Sequence, residues 1–321
     1  MAKKEDKNKD LNEDYKKIVA SAEHVEEKST EKRVEQGQVN MERFKPDSAQ
    51  SADFHLGYHN VPVVDLPSAG MFYADNIEIS IRSAKVAEIR HFSTVDETNI
   101  LDVDSKLNEI LAATIRVKNG KKMGSYKDLC EEDRFFIILS VRDLTFPEPE
   151  SVLQLDHKDK KGKMHKIEVD KKYFQYFSIP KELDKYYTKN EKTFLIQTKS
   201  FGTINMRPPS IGIMQQMTSY IKERQEENVE IDQSVLQIMP YLISEWRGFD
   251  KKRIFEFEME MNGWSNKKYS LIYKLAEKMK VGVQPNMLVQ LDGGEDVEIP
   301  INFRDGIKSL FIVQDIAGEL L

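Results

Sequence analysis

KDLCEEDRFFIILSVRDLTFPEPE, residues 127–150, is the stretch whose reading decides the fold. Asp128 followed three residues later by Glu131 resembles a capping box, and Glu131, Glu132 and Asp133 place negative charge where a helix start favours it. Phe135, Phe136, Ile137, Ile138, Leu139, Val141 and Leu144 then leave almost no polar side. A helix apolar all round belongs in a core, so this segment predicts a buried central helix starting near Asp128. Pro147 and Pro149 end it, because neither donates a helix hydrogen bond and each biases its predecessor away from α geometry. The polar exceptions are Arg134, Arg142 and Asp143. The two arginines, eight residues apart, are separated by only about 80° around a helix axis at ~100° per residue and mark one polar edge. Cys130, the sole cysteine, falls in the first turn, where packing is its expected role.

Working outward, residues 60–83 hold a short strand VPVVDL, a turn PSAG and the aromatic return MFY. A strand IEISIRS follows, alternating Ile77, Ile79 and Ile81 on one face. Ser83 is a candidate cap for a helix over 84–92. Ile100, Leu107, Ile110, Leu111 and Ile115 share helical spacing over 96–117. Beyond Pro149 the pattern turns to β. VLQLDH and KMHKIEV flank the loop KDKKGK, and TFLIQTK and GTINMRP flank Ser200 to Gly202. Helices resume with Ser210 capping IGIMQQMTSYIKERQ, on which Ile211, Met214, Met217 and Ile221 share a face. Asp232 is a candidate start for VLQIMPYLISEW, which Pro240 should break. Ser265 caps NKKYSLIYKLAEKMK, with Tyr269, Ile272, Leu275 and Met279 inward and Gly282 as its stop. LVQL and VEIPINF form a last hairpin around DGGED.

The expectation is an α+β protein, a helical core with β-hairpin modules and a disordered or partly helical N-terminal arm. The segments are a charged arm (1–55), an N-terminal hairpin with helices (56–150), a β-rich module (151–206), a helical region (207–282) and a C-terminal β-hairpin with its tail (283–321). The arm has almost no aromatic residues and nearly balanced charge, a composition that does not fold alone. Within it Leu11, Tyr15, Ile18, Ala22 and Val25 recur at 4-3-4-3 spacing and form one helical seam suited to a partner.

The 321 residues, 40% hydrophobic and 32% charged, suffice for one large or two ordinary domains. No apolar run approaches the ~20 residues of a membrane span and no secretory leader opens the chain, so no membrane partner and a reducing cytosol are expected. A single cysteine excludes an internal disulfide framework and a multi-cysteine metal site. A formal charge of -6 argues against generic nucleic-acid binding. The lysines between Lys158 and Lys172 lack interleaved aromatic residues and read as a solvated hairpin tip. Phosphate-binding, zinc-protease and nucleophile-elbow motifs are missing, and the six histidines form no ligand pattern with Cys130. No cofactor, metal or catalytic residue is expected from these residues.

LPSAGMFY (66–73), IEISIRS (77–83), the 127–146 block and EDVEIPINF (295–303) together resemble the order of signatures in the baseplate hub assembly proteins of T-even-type contractile-tailed phages. In that family an LPS-x-G-x-x-Y-like turn precedes a strand, helices, and a central helix carrying D-R and a later R. The matching residues are Leu66, Pro67, Ser68, Gly70, Tyr73, Asp133, Arg134 and Arg142. Relatives often carry C-x-x-C pairs at their β-hairpins. Here the corresponding turns read LDHKDKKGK and LDGGED, so zinc is not carried over. The resemblance implies a non-enzymatic viral protein that binds other baseplate hub or tail proteins, in the host cytoplasm during assembly or in the tail baseplate of the virion. The alternative class is a phage-encoded enzyme or nucleic-acid accessory factor, which would need Arg134, Arg142 and Asp143 to converge in a cleft.

Overall fold

A computed structural model describes residues 57–147, 153–159, 162–229, 233–243, 245–291, 296–301, 303 and 306–312. The arm seam of Leu11, Tyr15, Ile18, Ala22 and Val25 lies outside them, as do Pro149, Asp232 and residues 292–295 of the last turn. All described residues belong to one unit, Pro46–Leu321.

The first sheet is built in chain order from β1 (His59–Asn60), β2 (Ile77–Ile81), β3 (Ile115–Asn119) and β4 (Lys122–Met123), all antiparallel. Ile79 and Ile81 face the core, as their alternation predicts. The expected strand at 61–66 does not form. Val61 still donates its N–H to the Ile79 carbonyl, but Pro62 has no N–H with which to continue the ladder. The chain leaves the sheet into a 3-10 turn, Val63–Asp65, with Val64 70% exposed.

Helices α1 (Val86–Phe92) and α2 (Ile100–Thr114) lie between β2 and β3. Ser83 does not cap α1. The Glu88 carboxylate instead accepts the N–H of Lys85, the N-cap residue, and pairs with Arg82 at 2.6 Å. Asn99 caps α2, its side chain accepting from the N–H groups of Leu101 and Asp102. The helix expected over 96–117 stops at Thr114. Ile115 starts β3 opposite Ile81, where β-branched Thr114, Ile115 and Val117 suit a pleated surface better than a helix. Ile100, expected on the apolar face, is 76% exposed.

The central helix α3 runs Arg134–Thr145, with Phe136, Ile137, Ile138, Leu139, Val141 and Arg142 buried. It starts five residues later than its capping signals suggest, with Asp133 and not Asp128 at the N-cap position. Asp128 ends a separate 3-10 turn (Tyr126–Asp128), and Leu129 and Cys130 then run extended. Cys130 bridges to Ser210, and Leu129 accepts the N–H of Ile211. A second 3-10 turn, Glu131–Asp133, leads into the helix. The backbone of 129–130 is thus occupied by pairing with a distant segment and unavailable to a helix.

β5 (Gln154–Lys158) and β6 (Met164–Glu168) form the expected hairpin with His157 opposite His165. β7 (Phe174–Tyr176) joins a later sheet, while β8 (Tyr187–Thr188), β9 (Thr193–Thr198) and β10 (Gly202–Met206) form a meander. α4 (Ile211–Glu226) is capped by Ser210 as expected, although its buried residues include Ile211, Ile213, Met217 and Tyr220, with Met214 and Ile221 only half-buried. Pro240 sits in a 3-10 turn, Met239–Leu242, directly after the short helix α5 (Gln233–Ile238). α6 (Lys251–Asn262) follows, then α7 (Asn266–Lys278), whose Ser265 cap accepts from Lys268 N–H. β11 (Val283–Gln290) and β12 (Asp296–Pro300) close the chain's last sheet in the order β12-β11-β7.

One continuous apolar cluster runs from Val61 to Phe311 and draws residues from the sheets and from helices α1 to α7. The fold is a mixed α+β arrangement of small antiparallel sheets around buried helices. No helix among the described residues is long and apolar enough to cross a membrane.

Candidate functional site

Two signature segments meet at Asp133. After the Val63–Asp65 turn, the chain reverses through Leu66 to Tyr73 by successive hydrogen bonds: Ala69 N–H to the Leu66 carbonyl, Met71 to Ser68 and Tyr73 to Gly70. Ala69 and Gly70 both have positive φ, 49° and 74°. A Cβ at Gly70 would stand 3.1 Å from a Val63 methyl, so glycine answers both a left-handed backbone and a close approach. Leu66, Ser68, Phe72 and Tyr73 are buried by this reversal, and Pro67 lies at its entry.

The turn delivers three donors to one carboxylate. Ser68 donates its N–H to Asp133 Oδ1 at 2.8 Å and its hydroxyl to Oδ2 at 2.6 Å, and Tyr73 donates its hydroxyl to Oδ2 at 2.6 Å. Tyr73 Oη accepts the Cys130 N–H at 3.0 Å. Asp133 has no measurable exposure. It occupies the N-cap position of α3, yet its side chain makes no capping bond, because both oxygens serve the turn. All three donors are neutral, and burial holds the Asp133 carboxyl above its ordinary range despite them. Burial, followed by the charge of Asp133, raises the Tyr73 hydroxyl far above its usual range, so tyrosine remains a donor. Burial likewise raises the Cys130 thiol, which keeps it protonated and unreactive.

Later elements hold the outer side of the turn. Tyr187 donates its hydroxyl to the Met71 carbonyl, and Arg207 donates Nη2 to the Phe72 carbonyl at 3.2 Å. Phe72 also packs against Phe194 and Tyr187. Residues from the first 3-10 turn to the end of β10 therefore converge on eight residues.

Beside Asp133, Glu131 and Glu132 are pushed up to about 7, chiefly by burial. Glu131 Oε1 pairs with Arg134 at 2.9 Å, while its Oε2 has no hydrogen-bond partner. Glu132 packs against Gly282, where an added Cβ would lie 3.0 Å from its carbonyl, and accepts a hydrogen bond from Tyr241. Acidic residues here serve as buried packing and pairing groups more than as partners of the helix dipole.

Arg134 pairs with Asp104 at 2.5 Å and donates to Asn108 at 3.2 Å, tying α3 to α2. Arg142 is buried in the last turn of α3 with its guanidinium 5.7 Å from the Phe146 ring centre, and burial lowers its pKa. Asp143 is on the exposed side and pairs with Lys171 at 3.0 Å. Arg134 and Asp143 are thus engaged by different partners.

A second junction escaped the sequence reading. Asp128 accepts from Ser125 N–H, from Trp246 Nε1 at 2.8 Å and from Arg247. Burial opposes its ionisation, but these donors outweigh it and hold the carboxyl below its usual range. The indole of Trp246 lies on Gly212, where an added Cβ would stand 2.5 Å from the ring. A glycine just inside a well-capped helix is the signal that could have pointed to such a close approach.

Among the described residues no group of three or more histidine, cysteine, aspartate or glutamate side chains has the geometry to hold a metal ion. The chemistry of the Asp133 site is that of a latch: a carboxylate sealed from solvent, with its accepting capacity taken by the turn. Compared with known family models, characterised proteins and solved structures, the chain has no significant match.

Proposed function

We propose that this chain is a baseplate hub protein or hub assembly factor of a contractile-tailed phage, acting by binding other hub or tail proteins. The observation that carries this reading is the meeting of Ser68 and Tyr73 with Asp133. Two of the four segments that prompted the resemblance lie some sixty residues apart in the chain, and they meet as one buried unit. Such a unit gives the signature a physical meaning: its residues fix the shape of a body that presents surfaces to partners. Arg134 and Arg142, engaged within the helical body, fit the same structural role. On this reading the protein works in the host cytoplasm while the hub is assembled, and it has no membrane or nucleic-acid partner.

The test is removal of the gene from the phage that carries it. Progeny should lose infectivity, and electron microscopy of the lysates should show baseplate parts without a completed hub. Mass spectrometry of complemented virions then establishes whether the chain resides in the particle. Normal progeny with complete baseplates would overturn the proposal.

A further inference from the structure

Helix α6 carries an outer face that the described residues leave uncovered. Its inner side is committed: Ile254, Glu258 and Met261 are buried, and Glu258 accepts the Tyr220 hydroxyl at 2.5 Å. On a flank about 110° round the helix from that side, Phe255 and Met259, one turn apart, are 43% and 56% exposed. Arg224 lies over one side of the Phe255 ring at 5.6 Å.

The charges around this pair run against the helix. Aligned peptide dipoles favour acids in the first turn and bases in the last, and α6 has neither. Lys251, Lys252 and Arg253 open it, and Glu256 and Glu260 follow toward its negative end. Lys251 is taken by Glu223 of α4. Lys252 and Arg253 reach only Glu256, at 3.8 and 3.4 Å, and Glu260 has no ion-pair partner among the described residues. The Asp250 carboxylate caps the start and offsets part of the electrostatic cost of this arrangement, and Lys252, Arg253 and Glu260 remain exposed.

A positive start, an apolar middle and a negative end are self-complementary when two such helices lie antiparallel. A two-fold axis at the level of residue 257, whose own ring is turned away against Trp264, sets Phe255 of one copy against Met259 of the other. The same axis brings Lys252 and Arg253 within a turn of Glu260 across the seam. The reversed charges then face opposite charges, and each helix's dipole opposes its neighbour's. We propose that the exposed face of α6 is an isologous contact through which two copies of this chain associate. The seam is one helix wide, below the ~1,200 Å² of a stable specific interface, so the association is weak and reversible. It goes beyond the proposed role in hub assembly and does not depend on it.

Sedimentation equilibrium of the purified full chain across the micromolar range tests the contact. A monomer–dimer equilibrium is expected, weakened at least about tenfold by Phe255→Ser with Met259→Ser. Lys252→Glu with Arg253→Glu, and separately Glu256→Lys with Glu260→Lys, should each abolish self-association. Mixing those two charge-reversed proteins should restore a heterodimer. Circular dichroism confirms that each variant is folded, and the charge pair remains informative should the apolar pair unfold. A chain that stays monomeric throughout, a dimer indifferent to all these changes, or no recovery on mixing would overturn the proposal.

Discussion

Asp133 concentrates the consequences of single residues. Replacing it with alanine strands two hydroxyls and a backbone N–H in a space without water, at about 1–3 kcal/mol for each unsatisfied group. Asp133→Ala should therefore lower unfolding stability by roughly 3 kcal/mol or more in urea titration. Asp133→Asn keeps one acceptor for the Ser68 N–H and lets the hydroxyls reorient, so about 1 kcal/mol is expected. Its neighbours set a pH dependence. Glu131 and Glu132 ionise near 7 in the folded protein, above their ordinary value of 4.5. A raised carboxyl binds its proton more tightly when folded, so its contribution is fully present below about 4.5 and is lost as the pH rises through about 7. Thermal melts should show a lower midpoint at pH 8 than at pH 6. Glu131→Gln with Glu132→Gln should flatten that slope. A slope unchanged by the double variant would show that these two groups do not set it. The sequence named Ser68, Tyr73 and Asp133 only through resemblance. Nothing local pairs a serine with an aspartate 65 positions away, and acids before a helix have a sufficient local explanation in the dipole.

At the scale of elements, what was legible is what neighbouring residues decide alone. The hairpins β5–β6, β9–β10 and β11–β12, the caps at Ser210 and Ser265, and the break at Pro240 all follow from short-range turn and capping chemistry. The misplaced starts and stops depend on distant partners: Leu129 and Cys130 leave the helix to pair with Ser210 and Ile211, and Ile115 leaves α2 to pair with Ile81. Helix α6 was hidden within a broad helical region because IFEFEMEM alternates apolar and acidic residues, a period closer to a strand's. The Trp246–Gly212 junction offers a test at this scale. Gly212→Ala gains helix propensity but forces the indole off α4 and away from Asp128, and overpacking of this kind costs about 1–3 kcal/mol. The variant should be destabilised, and its tryptophan emission should shift to the red as Trp246 enters water. Unchanged emission would mean that the ring does not rest on that glycine.

For the whole molecule, closure depends on segments far apart in sequence meeting. Phe311, fully buried, packs edge-on against Phe92 of α1 at 5.2 Å between ring centres, and Glu97 accepts the Lys308 N–H at 2.9 Å. Phe311→Ala should cost about 3–5 kcal/mol, the usual range for emptying a buried aromatic site, read from a cooperative chemical unfolding curve. A loss under about 1 kcal/mol would mean that this turn is peripheral to the core. The order of these contacts along the chain also fixes when they become available on the ribosome. The Leu66–Tyr73 reversal is synthesised before its latch at Asp133 and its outer supports at Tyr187 and Arg207, and the ring that seals α1 comes later than all of them. At ~5–20 residues per second, Phe92 waits roughly 10–40 s for its partner. The nascent chain therefore spends that interval with an open apolar surface. Chaperone occupancy during translation should fall only once Phe311 has emerged, and nascent chains stalled before Phe311 should remain bound.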